Sequence, residues 1–98
     1  MTTIYCLTDF EQIYNSKFFL TLEGVAKWLI ERSPIDNQIK VREPEIAGSY
    51  DITADNLRTI LTAAQRNNRW TASFAIQQDF VLDIIETLFF LSTIDVED

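Results

Sequence analysis

Trp70-Thr-Ala-Ser-Phe-Ala-Ile-Gln-Gln-Asp-Phe-Val-Leu-Asp-Ile-Ile-Glu-Thr-Leu-Phe-Phe-Leu91 is the stretch on which the fold turns. Trp70, Ala72, Phe74 and Ile76 stand two apart, the period of a strand, yet the segment could equally lead straight into a helix. From Gln77 to about Leu91 the side chains of Phe80, Val81, Ile84, Ile85, Leu88 and Leu91 recur at helical spacing, which predicts a helix with one broad apolar side. At ~100° per residue, Asp79, Asp83 and Glu86 fall within about 60° of one another on that helix, as a single acidic stripe. Phe90 lies inside the stripe and Leu82 and Phe89 border it, so large apolar groups flank the carboxylates.

The same region holds most of the net charge. Residues 1–69 carry nine acids and eight bases, whereas residues 70–98 carry six acids and no base, in a chain of net charge -7. Such one-sided charge suits a surface that meets something positive. A chain of 98 residues with 47% hydrophobic side chains is expected to form one domain, residues 1–98, around one core.

Working outward, Thr53 is a candidate N-cap for a helix from Ala54 to about Arg66, whose apolar line is Leu57, Ile60, Leu61 and Ala64. Thr21 similarly begins a helix that reaches Arg32, where Ser33-Pro34 ends it. Thr8 and Glu11 have capping-box spacing, which predicts a shorter helix from about Asp9 to Ser16, preceded by a short strand at Thr3 to Leu7. Between the two long helices, alternation at Ile39 and Val41 and again at Ile46, Gly48, Tyr50 and Ile52 suggests two short strands around Glu43-Pro44, against a competing reading in which Pro44 opens a short helix. The fold class read from these elements is α+β and mainly helical: three to four amphipathic helices with a small antiparallel sheet of short strands.

Chemistry-bearing residues are scarce. The chain has no His, which removes the commonest general base and metal ligand, and it has no Gly-rich phosphate loop. Cys6 is the only cysteine, so no intrachain disulfide can form, and it lies in an apolar stretch that suits a structural thiol. No enzyme activity, cofactor or metal is therefore expected, although Asp79, Asp83 and Glu86 keep open a magnesium or calcium site as an alternative. A pI of about 4.4, with bases dispersed among acids, disfavours direct nucleic-acid binding. The apolar runs are too short to span a bilayer, and the first eleven residues lack the basic start of a secretory signal, so a soluble, cytoplasmic protein is expected.

The candidate partner-binding residues are Asp79, Leu82, Asp83, Glu86 and Phe90, together with a second acidic cluster at Glu43, Glu45, Asp51 and Asp55. Trp28 and Trp70 read more readily as core-edge residues than as interface anchors.

The stretches Ser33-Pro-Ile-Asp-Asn-Gln-Ile-Lys-Val-Arg-Glu-Pro-Glu-Ile-Ala-Gly-Ser-Tyr50 and Arg69-Trp-Thr-Ala-Ser-Phe-Ala-Ile-Gln-Gln-Asp-Phe80, with the overall acidic and cysteine-poor type, resemble the immunity proteins of bacterial contact-dependent growth inhibition and related polymorphic toxin systems. That resemblance implies a cytosolic monomer that binds a cognate toxin domain in a 1:1 complex and blocks its active site. The implied target is a basic nuclease, with a ribonuclease favoured. Such families have no catalytic signature, so the resemblance assigns no residue role. The alternative is a phage-type acidic inhibitor or nucleic-acid mimic aimed at a host DNA- or RNA-handling complex.

Overall fold

The structure is a computed structural model that describes residues 1–10, 12–80 and 83–97, with backbone alone for Gln12, Ile13, Tyr14 and Phe80. Among these residues the chain runs β1 (Thr2–Asp9), β2 (Gln12–Phe19), α1 (Leu22–Arg32), β3 (Gln38–Val41), β4 (Gly48–Asp51), α2 (Ala54–Arg66), β5 (Ala72–Phe80) and β6 (Asp83–Val96). The strands form one sheet in the order β2-β1-β6-β5-β3-β4, and every pairing is antiparallel.

This overturns the mainly helical fold class. The predicted helix from Gln77 to Leu91 is instead the facing ends of β5 and β6, paired from Ala72↔Leu91 to Phe80↔Asp83. The physical reason lies in the apolar distribution. Thr87, Phe89 and Leu91 point into the core, while Leu88 and Phe90 point to the opposite face, so the strand is apolar on both sides. A run apolar on both strand faces leaves no clean two-residue alternation, and it also satisfies a broad helical wheel. Non-local pairing then decides between them, helped by the β-branched residues Ile76, Ile84, Ile85 and Thr87.

The predicted helix from Asp9 to Ser16 is likewise replaced by the end of β1 and the start of β2; its capping partner Glu11 lies outside the described residues. The Thr8 hydroxyl does not cap a helix. It lies 2.9 Å from the Ser16 hydroxyl across the β1/β2 ladder, where the two residues are direct partners.

The two long helices form where the sequence places them. Thr21 and Thr53 each accept a hydrogen bond from a backbone N–H three residues on, Gly24 and Asn56 respectively, at 3.1 Å. Each cap satisfies an orphan donor of the first helical turn. The two short strands predicted around Glu43-Pro44 also form, as the hairpin β3/β4 with Ile39 opposite Tyr50.

Both helices cover the same face of the sheet. Leu22, Val25 and Leu29 of α1 and Leu57, Ile60, Leu61 and Ala64 of α2 join Leu7, Ile39, Phe74, Ile76, Phe89 and Leu91 in one buried cluster. Phe74 and Phe89 are direct cross-strand partners and stack with centroids 6.3 Å apart, and Trp28 meets Phe89 edge-on at 5.8 Å. Arg32 then covers Trp28, with its guanidinium 3.6 Å from the ring centroid. Trp28 thus closes the core edge, whereas Trp70, given the same reading from sequence, is 94% exposed.

Neighbouring aromatics should therefore differ sharply in their energetic weight. Phe89→Ala should cost ~3–5 kcal/mol in urea unfolding, as expected for emptying a packed core site. Phe90→Ala, on the opposite face, should cost about 1–2 kcal/mol. Equal costs would contradict the strand assignment.

Candidate partner-binding surface

Beyond residues 77 and 86 the described ladders leave β5 and β6 paired only with each other. On one side, β1 follows β6 only to Asp9↔Phe89, with a last bond from Phe10 N–H to the Leu88 carbonyl at 2.9 Å. On the other side, β3 meets β5 at Ile39↔Ile76 and Lys40↔Ala75. Residues 77–80 and 83–86 therefore project as a two-stranded ribbon, roughly 13 Å long at ~3.3 Å per residue.

The strand period redistributes the predicted acidic stripe. Asp79 pairs with Ile84, and Gln77 with Glu86, so Asp79 and Glu86 are diagonal neighbours on the face away from the helices. Asp83, next to Ile84 in the chain, points to the other face, and its carboxylate accepts the Ile84 backbone N–H at 2.9 Å. The three carboxylates do not converge, and among the described residues no three His, Cys, Asp or Glu side chains could hold a metal ion. Leu82 lies outside the described residues. Between the acids stand two side chains that the helical reading placed on the buried side: Ile84 is 56% exposed and Ile85 41%. Their visible signal in the sequence was adjacency, since two consecutive β-branched residues in a strand must face opposite ways.

Glu86 is not a free carboxylate. Arg42, just past β3, reaches across to donate to it at 3.3 Å. The two residues, with Lys40 and Leu88, border a shallow groove of about 480 Å³ whose lining includes the small side chains of Ser73 and Ala75. Phe90 lies further along this face, edge-on to Phe10 with centroids 5.8 Å apart.

The second predicted cluster does not form one surface either. Glu43 is inward-facing, its side chain only 10% exposed, and takes a 2.8 Å bond from Arg69. Asp55 sits in the first turn of α2, where it favours the helix dipole and pairs with Arg58 at 3.2 Å. Glu45 borders a depression beside Asp55, Arg58 and Arg66. Asp51 ends the edge strand β4; its backbone carbonyl accepts from the Asn56 side chain at 2.8 Å. Asp55 and Glu45 thus belong to the surroundings of α2, on the helical layer, while Asp79 and Glu86 face away from it.

The chain matches no family model, no curated protein and no solved structure. Among the described residues, no helix is long and apolar enough to cross a membrane.

The two acidic regions should separate in a stability assay. Glu43→Gln should lower unfolding free energy by about 1–2 kcal/mol, because it strips Arg69 of a mostly buried partner. Asp55→Asn, in an exposed pair, should change it by less than about 1 kcal/mol.

Proposed function

We propose that this chain is an inhibitory binding protein of the immunity type, which presents the β5/β6 ribbon to a cationic cleft on a cognate toxin domain. The observation that carries this reading is the projecting end itself. Asp79 and Asp83 have no ion-pair partner among the described residues and stand beside the exposed Ile84 and Ile85. Carboxylates of that kind attract a basic surface from a distance, and the two isoleucines supply apolar contact once the surfaces meet.

A ribbon that stands clear of its sheet has the shape to enter a concave site, as an enzyme cleft is. A basic nuclease, with a ribonuclease favoured, is the partner whose active site such a negatively charged ribbon would fill. The alternative of a nucleic-acid mimic has less support. It calls for extended rows of free carboxylates, whereas Glu86 and Glu43 are both neutralised by arginines and Asp83 faces away from Asp79.

The test is a rescue assay against the products of adjacent genes, followed by association kinetics with whichever product is toxic. Reversing Asp79 and Asp83 to Lys should slow association by on the order of 10- to 100-fold at low salt and abolish rescue. Reversing Glu23 and Glu31, on α1, should change the rate far less. Equal effects from the two pairs, or a rate indifferent to salt, would remove the ribbon from the interface.

A further inference from the structure

The sheet has a second face, and no described element covers it. An antiparallel sheet that shows one face to water ordinarily alternates apolar inward with polar outward. Here the outward positions include Ile4, Phe18, Leu88, Phe90, Ile94 and Val96, placed side by side by the pairings Ile4↔Ile94, Cys6↔Phe18 and Thr8↔Phe90. Phe18 is 63% exposed and Ile94 45%. We infer that this face is a homodimer interface, on which the open sheet of a second copy packs face to face.

Three features favour a second copy over another occupant. First, the part of this face over β2, β1 and β6 is free of charge: from Thr2 to Thr8, at Ser16 and Phe18, and from Leu88 to Val96, every described outward side chain is neutral, and the charged outward residues Lys40, Asp79 and Glu86 lie beyond it. In a chain of net charge -7, a cationic partner is drawn elsewhere, and a like-charged copy can approach only where charge is missing. Second, the area reaches the range of specific contacts. The four strands β2, β1, β6 and β5 at ~4.8 Å spacing and about eight residues at ~3.3 Å rise give a plane on the order of 500 Å². Side-chain relief brings this towards the roughly 600 Å² per partner at the small end of stable interfaces. Third, sheets pack face to face when their twists match, and an identical sheet meets that condition automatically. The resulting two-fold arrangement leaves the β5/β6 ribbon of each copy free beyond the contact and replaces the monomer anticipated from the sequence.

Sedimentation equilibrium of the purified full chain tests this directly. Wild type should sediment as a dimer, and Phe18→Lys or Ile94→Lys should raise the dissociation constant at least about tenfold with an unchanged circular dichroism spectrum. Both positions are exposed, so the substitutions spare the core. As an independent readout on wild type, alkylation of Cys6, which sits on this face beside Thr8 at 3.8 Å, should slow as protein concentration rises. Asp79→Lys with Asp83→Lys should leave the dimer intact, which separates this contact from the ribbon's proposed role. A wild type that stays monomeric at its highest working concentration would overturn the inference, as would a dimer that survives both face substitutions.

Discussion

The β5/β6 ladder is the contact on which the other layers depend. It sets Phe74 against Phe89 and Ala72 against Leu91 in the middle of the sheet, and these side chains form the floor on which α1 and α2 rest. Neither helix could bury its apolar stripe without that floor, because two amphipathic helices of 11 and 13 residues are marginal in water by themselves. The same ladder sets β1 on one side and β3 on the other, so the position of every strand follows from it. Trp28 and Arg32 then close the edge over Phe89.

Because both helices lie on one side, the described residues form two layers, and none of them covers the other face of the sheet. That asymmetry separates two kinds of surface in one small chain. The projecting ribbon combines Asp79 and Asp83, which have no ion-pair partner among the described residues, with exposed isoleucines, while the face over β2, β1 and β6 is neutral and largely apolar. The first suits a partner of opposite charge, reached by steering; the second suits contact in which area and shape dominate. Their separation along the length of β6 is possible because that strand is 14 residues long and its neighbours are shorter.

The candidate site was only partly legible in the chain. Asp79, Asp83 and Glu86 were visible as acids, but their mutual arrangement depended on the period assumed. A helix collects them into one stripe, whereas a strand sends Asp83 to the face opposite Asp79. Glu43 and Glu86 looked like free charges because their arginine partners, Arg69 and Arg42, lie 26 and 44 residues away in sequence. Ile84 and Ile85 looked like core for the same reason that the helix looked convincing: apolar residues were assumed to share one buried side. Trp70 was likewise read as a core-edge residue, although nothing packs over it sufficiently to hide it.

By itself the sequence determined α1, α2 and their threonine caps, and it favoured the short β3/β4 hairpin over a helix opening at Pro44. In those segments local signals agree: a cap, a clean three-to-four spacing or a brief alternation, and a breaker such as Pro34. It also determined the charge imbalance after Arg69 and the scarcity of catalytic side chains. Only the tertiary structure decided that residues 77–80 and 83–91 are strand, that Asp9 and residues 12–16 belong to β1 and β2, and which carboxylates lack an ion-pair partner among the described residues. Those outcomes depend on partners distant along the chain, such as Leu7 and Ala72 on either side of Leu91. A segment apolar on every side carries no local period strong enough to choose, so the geometry that pairs its backbone chooses for it.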